Sequence, residues 1–329
     1  MPNNIRLEEL DGRMHRIEDL LSTLSENVGL LGTDVGQAYG LLAQSYDRLE
    51  QTYNQILQRI AFSETTYLGN NRALTYLKTG HKIFVDTTSI DIGTHLMFGG
   101  EWESQYTNAF MKLLKEGNNV LDIGANHGVY SLLAASKVAP SGHVYAFEAS
   151  RSFFNLIMDS VSVNGLSNIV TVVHSAVADR DFETTMVFDK HYSGGGHLMG
   201  EKDDVITSNI EQRIKTERVH CISLDNYFSN TNINIDAIKM DIEGAEGLAI
   251  KGMLNLIEKS PDLKMMIEFC PSMFSRFEID TMGVIELLQS RQFKSWLIQP
   301  DSSLVHVEWL SLLNNPDLIQ NIMVSRQDL

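Results

Sequence analysis

Two groups of acidic residues have the types and spacing of a ligand site. In the first, Asp122 lies two residues before the glycine turn Gly124-Ala125-Asn126-His127-Gly128, and Glu148 follows Asp122 by 26 positions, at the end of the next apolar run. Glycines in a strand-to-helix turn let a ligand approach the backbone, and the helix start offers unpaired N–H groups. Asn126 stands where a dinucleotide fingerprint G-x-G-x-x-G needs its second glycine, so a pyrophosphate ligand is not expected. The pattern suits a ligand with a zwitterionic amino-acid end, and an acid at the Glu148 position is placed to accept both hydroxyls of a ribose. A third apolar run ends in His174-Ser175-Ala176, small side chains against which an adenine edge can lie.

The second group is Asp241, Glu243, Glu246 and Glu268, at or just beyond the ends of two further apolar runs. Open α/β sheets bind ligands at such carboxyl ends. Glu243 and Glu246 also stand at a helix start, where an acid is favoured by the macrodipole without any ligand. Lys239, two residues before Asp241, reads either as its ion-pair partner or as a desolvated base. His197, closing the loop Ser193-Gly194-Gly195-Gly196-His197, is a candidate substrate contact; His174 reads as an ordinary strand-end histidine.

The elements that must position these residues alternate between strand and helix. Strands are predicted over 120–123, 143–147, 169–174, 219–224, 237–240, 264–269, 295–298 and 321–325, with helices over 129–138, 153–163, 245–258 and 282–289. Such alternation implies parallel pairing in a doubly wound sheet. Residues 63–118 read as lead-in strands and a helix packing on this core, and residues 119–329 as the core domain itself.

Residues 1–62 differ in kind: no lysine, proline only at Pro2, and eight apolar residues at heptad position a (Leu7, Met14, Leu21, Val28, Val35, Leu42, Leu49, Ile56). Position d is apolar through Leu31, fails at Ala38, Ser45, Thr52 and Arg59, and resumes after a four-residue skip, the mark of a stutter. A single helix of about 80 Å with so narrow an apolar seam needs a partner helix. The expectation is a coiled-coil segment that makes the chain a homo-oligomer.

The 329 residues carry 26 Lys+Arg against 42 Asp+Glu, a net charge of −16, which disfavours a nucleic-acid partner. Cys221 and Cys270 alone make neither a disulfide framework nor a cysteine-rich zinc site. No run approaches eighteen apolar residues, and the first residues are polar, so a cytoplasmic protein without a transmembrane segment is expected.

Several of these stretches together resemble the FkbM-type S-adenosylmethionine-dependent methyltransferases, within the class I Rossmann-like methyltransferases. The matching pieces are Gly100-Glu101-Trp102-Glu103, Val120–Tyr130, Phe147-Glu148, Ser223-Leu224-Asp225, Ile238–Glu246 and Met266-Ile267-Glu268-Phe269. The resemblance covers about residues 99–325. It implies a seven-stranded, mostly parallel sheet with an antiparallel last strand, preceded here by the long coiled-coil helix. It implies S-adenosylmethionine as cofactor, with Asp122 and Gly124 against its methionine part, Glu148 on its ribose and Glu103 near its amino end. Asn126, Gly128, Ala149, Ser175 and Ala176 complete the expected cofactor set. His127, where the family often has a small apolar residue, and the triple-glycine loop depart from the pattern at the substrate entrance.

The resulting expectation is methyl transfer to a sugar hydroxyl of a glycan, glycolipid or glycosylated natural product. Asp241, Glu268, Lys239 and His127 are the catalytic candidates, and Glu243 and His197 the substrate contacts. Either Asp241 and Glu268 hold a divalent ion such as Mg²⁺, which lowers the hydroxyl's pKa, or His127 or Lys239 takes the proton with no metal, the favoured route. N-methylation of a peptide natural product, and an inactive cofactor-binding domain on a coiled-coil assembly protein, are the alternatives. No Asn-Pro-Pro-Tyr-like segment follows the fourth strand, and Cys270-Pro271 is the reverse of a Pro-Cys nucleophile, both against nucleic-acid methylation.

Overall fold

The computed structural model describes residues 16–17, 19–23, 40–51, 65–189, 191–198 and 214–329. The chain divides into two compact units, Met1–Ala61 and Phe62–Leu329.

In the larger unit the described strands begin with β1 (Thr66–Gly69), β2 (Arg72–Tyr76) and β3 (Lys82–Asp86), an antiparallel sheet. There follow β4 (Asn119–Ile123), β5 (His143–Glu148), β6 (Val170–His174), β7 (Ala176–Val177), β8 (Phe182–Asp189), β9 (His197–Leu198), β10 (Ile214–Ile222), β11 (Ala237–Met240), β12 (Lys264–Phe269), β13 (Lys294–Ile298), β14 (Leu304–Val307) and β15 (Gln320–Ser325). The central sheet has the order β14-β13-β15-β12-β11-β4-β5-β6. Strands β4, β5, β6, β11 and β12 are parallel, and β15 runs antiparallel between β12 and β13.

The sheet therefore has eight strands, not seven. The extra one, β14, is antiparallel to β13 at the edge. Its four residues are half-exposed or exposed throughout, so they lack the apolar alternation that marks a strand in sequence.

Strand periodicity divides the core between two faces. Leu121, Ile123, Ile238, Met240, Met265, Ile267, Ile322 and Val324 pack on one side, and Val120, Ala237, Met266 and Met323 on the other. Asp122 and Lys239, in register on β4 and β11, share the second face. A buried apolar sheet thus carries a charged pair near its carboxyl edge.

Two other expected elements differ. The strand predicted over 219–224 belongs to β10, which lies outside the central sheet. It forms a second sheet of order β7-β10-β8-β9, paired with β8 from Ile214↔Asp189 to Cys221↔Phe182. The helix predicted over 245–258 is two short ones, Glu246–Lys251 and Leu254–Lys259. The break falls at Gly252, where a Cβ would lie 1.9 Å from the Ala178 carbonyl oxygen, so the backbones meet too closely for helix to continue with a side chain there. Asp225 accepts the free N–H groups of Asn255 (3.0 Å) and Leu256 (2.9 Å) at the new start.

In the smaller unit, residues 19–23 and 40–51 are helical. Ile17, Leu20, Leu21, Leu42, Tyr46 and Leu49 line one apolar groove. Leu20 and Leu42 would be about 33 Å apart along one straight helix at 1.5 Å per residue. The two helical pieces instead lie side by side, which corrects the single long helix expected above; most of the seam over residues 7–60 lies outside the described residues.

Candidate active site

Strand β4 ends in a turn built on Gly124, at φ +78, where a Cβ would stand 2.0 Å from the Asp241 carbonyl oxygen. Only glycine lets the β4 and β11 tips approach this closely. Gly124 and Ala125 donate to the Phe147 carbonyl (3.0 and 3.1 Å), and Asp241 N–H donates to Ile123 (3.1 Å), so the tips of β4, β5 and β11 are tied together.

Above these tips lies a cleft bordered by the β4, β5 and β11 tips and the triple-glycine loop. Gly124, Asn126, His127, Glu148, Ala149, Ser175, Ala176, His197, Lys239, Asp241 and Glu243 of the expected site residues line it. Asp122, Gly128, Glu103 and Glu268 are not in its lining.

Glu148 is 5% exposed at the tip of β5. Its two carboxylate oxygens accept the N–H groups of Asn126 (2.8 Å) and Ser150 (2.7 Å). Burial pushes its pKa up to about 7 against the lowering effect of these bonds. A carboxylate offers about four acceptor positions, so two remain for hydroxyls of a bound molecule. Beneath the turn, Asp122 is buried, with one oxygen accepting from Ser131 Oγ (2.5 Å) and the other unpartnered.

At the β11 tip, Lys239 Nζ donates to the Gly124 carbonyl (3.0 Å), lies 3.4 Å from Asp241 Oδ2 and sits 5.2 Å from the centre of the Tyr130 ring. Burial alone lowers its pKa, but Asp241, Asp122, Glu103 and Glu268 outweigh it and hold the ammonium above its ordinary value. A base must give up its proton near neutral pH, and these four carboxylates prevent that. Glu103 is pushed up to about 7 and Glu243 to about 8, chiefly by burial and then by Asp241. Burial and the Asp241 charge raise Glu268 far more strongly.

Asp241, Glu243 and Glu268 bring one oxygen each within 4.8 Å of one another, a set that could hold a hard cation. Glu246 is committed locally: its oxygens accept from Ile242 N–H (2.8 Å) and Gly244 N–H (3.0 Å) and so hold the turn that presents Glu243. Glu103 (φ 44), Asn126 (φ 52) and Glu243 (φ 58) all adopt the left-handed conformation that side chains rarely take, and such residues concentrate at ligand sites.

His127 is buried, and both of its ring nitrogens are engaged, Nδ1 with Asn126 Oδ1 (2.6 Å) and Nε2 accepting from Asp86 N–H (3.3 Å). Burial lowers its pKa to about 4. Its lone pair is spent on the backbone of β3, which leaves none for a substrate proton. Asn126 Nδ2 donates to the Ser193 carbonyl (2.8 Å), and Asp91 accepts from Gly194 N–H (2.8 Å) and Ser193 Oγ (3.1 Å). These bonds set the triple-glycine loop along the cleft.

The lining also includes Trp102, Tyr130, Phe153, Met186 and Phe188, for which the sequence reading gave no site role. Met186 and Phe188 belong to β8, whose alternation 184-186-188 was the available signal.

A doubly wound sheet with a glycine turn, an acid at the second strand tip and further acids at the fourth defines a nucleoside-cofactor enzyme of Rossmann-like architecture. The chain belongs to the FkbM methyltransferase family: the model of the methyltransferase FkbM domain matches residues 122–295, more than half of the chain. No curated protein matches it. Among solved structures it is similar to the methyltransferase FkbM from Methylobacillus flagellatus KT, at 14% identity and TM-score 0.41, over 64% of this chain and 44% of that one. It is also similar to an O-methyltransferase from Bacillus cereus in complex with SAH (12%, TM-score 0.39, 69% of this chain and 82% of that one). An rRNA methylase from Streptococcus thermophilus matches at 13% and TM-score 0.37, over 68% of this chain and 94% of that one. Among the described residues no helix is long and apolar enough to cross a membrane.

Proposed function

We propose that the protein transfers a methyl group from S-adenosylmethionine to a sugar hydroxyl. The observation that carries this reading is that one continuous cleft joins Glu148, with its unused acceptor positions, to Asp241 and Glu243. The residues present fit the cofactor. Glu148 takes the ribose hydroxyls, Gly124 leaves the β4 tip open to the methionine part, and the small side chains of Ser175 and Ala176 border the adenine. The cofactor supplies an electrophilic methyl group when bound.

The chain's own residues do the rest. A sugar hydroxyl is a poor nucleophile, so its proton must leave as the methyl arrives in line. Asp241 accepts that proton. Lys239, kept as an ammonium, orients Asp241, and Glu243 accepts a second hydroxyl of the same sugar. His127 fixes the turn and takes no proton. In this route no metal is needed, since Lys239 already supplies the positive charge.

Incubating the protein with S-adenosylmethionine and a panel of methyl glycosides, and reading S-adenosylhomocysteine release with product mass, tests the proposal. Turnover that survives EDTA is expected. Activity lost to EDTA and restored by Mg²⁺ would instead place the Asp241–Glu243–Glu268 set around an ion. Methylation of an amide-bearing peptide in place of any glycoside would favour N-methylation.

A further inference from the structure

Trp102, which lines the cleft, is held by a scaffold that leaves it little freedom. Gly100, at φ +64, sits where a Cβ would lie 2.8 Å from the Tyr76 carbonyl oxygen, and its own carbonyl accepts from Lys78 N–H (2.8 Å). Glu101 pairs with Lys78 and accepts from Ser104 Oγ (2.7 Å). The Trp102 carbonyl accepts from Thr107 Oγ1 (2.8 Å), and its ring packs edge-on against His95, with centroids 5.3 Å apart. One side of the half-buried ring joins the core, while the residue also lines the cleft that Asp241 and Glu243 enter.

A rigid aromatic face beside carboxylates matches a pyranose, whose C–H face is apolar and whose rim is hydroxyl. The aromatic face takes the C–H side by burial and by its negative quadrupole, and the carboxylates take the hydroxyls. Asp241 and Glu243 line the same cleft, with the Lys239 ammonium beside Asp241.

We infer that Trp102 is the acceptor platform for a pyranose. The inference rests on the sugar-acceptor reading and adds to it a specificity-determining residue. Three tryptophans occur in the chain, and Trp296 and Trp309 are 3% and 4% exposed, so quenchable emission reports on Trp102.

The test uses the full chain with bound S-adenosylhomocysteine, acrylamide quenching, and methyl α-glucopyranoside, methyl α-rhamnopyranoside and methyl N-acetylglucosaminide as probes. At least one of these glycosides should protect the emission. Trp102→Leu, which keeps apolar bulk without a ring face, should raise the acceptor KM at least tenfold in methyl transfer. Trp102→Phe should stay within about threefold, and both should bind S-adenosylhomocysteine as the wild type does. A glycoside methylated with unchanged KM by Trp102→Leu overturns the platform and leaves the sugar reading standing. No response and no turnover with any glycoside overturns the inference together with the sugar reading.

Discussion

Lys239 and Asp241, two residues apart across the end of β11, approach to 3.4 Å while Lys239 also donates to the Gly124 carbonyl at 3.0 Å. One buried ammonium therefore joins the acid after β11 to the glycine turn after β4. Its charge opposes the rise that burial and Asp241 impose on the pKa values of Asp122 and Glu103.

Replacing Lys239 by Met should destabilise the fold by about 3–5 kcal/mol, as for breaking a buried ion pair. The folded pKa of Lys239 is raised, so its contribution is fully present below its ordinary value and is lost only as pH rises through the raised one. The carboxylates left behind can take up protons at low pH, so the deficit should be smaller at pH 5 than at pH 8. Urea unfolding at the two pH values reads both statements; a loss under about 1 kcal/mol at pH 8 would show that the carboxylates are neutralised some other way.

Glu148 gives a pH signature to cofactor binding. Its pKa in the free protein is about 7, and the ionised form is the better acceptor for ribose hydroxyls. Affinity for S-adenosylhomocysteine should therefore rise from pH 6 to pH 8, with a proton released on binding that makes the calorimetric enthalpy depend on the buffer. Glu148→Gln should remove this dependence, and Glu148→Ala should lose about 1.5–3 kcal/mol of binding, the worth of hydrogen bonds to a charged group. Part of that loss comes from the freed Asn126 N–H. A pH-independent affinity in the wild type would contradict the assignment.

His127 is expected to support the fold and not the chemistry. His127→Phe removes the acceptor of the Asp86 N–H and should cost about 1–3 kcal/mol of stability. The pH–rate profile of the folded variant should keep its shape. Disappearance of an acidic limb in that variant would return His127 to the role of base.

We propose that copies of the chain associate through the apolar groove of the smaller unit, where Leu20 is 63%, Leu42 47% and Leu49 49% exposed. Leu20→Glu combined with Leu42→Glu should lower the mass seen by light scattering and leave S-adenosylhomocysteine affinity unchanged. An unchanged mass would mean that other surfaces hold any assembly.

What the sequence made legible was whatever rests on strand periodicity and on strand tips. Asp122, Glu148 and Asp241 stood out because each lies at or beside the end of an apolar run, and the order of runs indicated the parallel core. Lys239 stayed ambiguous because its partners come from β4, β12 and the segment before Ser104, which only the sheet brings together. The acceptor bond from Asp86 N–H to His127 spans 41 positions, so no local pattern in the sequence could show it. Trp102 reaches the cleft from the lead-in segment, and no local pattern announces that; for Phe188, on the second sheet, only the alternation of β8 was a signal. The strand β14 and the break at Gly252 were set by edge pairing and by a backbone approach, neither of which leaves a mark in hydropathy.

Asp241→Asn tests the account most directly, because it removes the proposed proton acceptor while keeping size and hydrogen-bonding shape. Methyl transfer to the best glycoside should fall by about 10²–10⁴-fold, the range for a positioned general base. S-adenosylhomocysteine affinity, measured on the same preparation by calorimetry, should stay within about threefold of wild type. An Asp241→Asn enzyme that methylates at the wild-type rate would show that this strand-end acid only anchors Lys239.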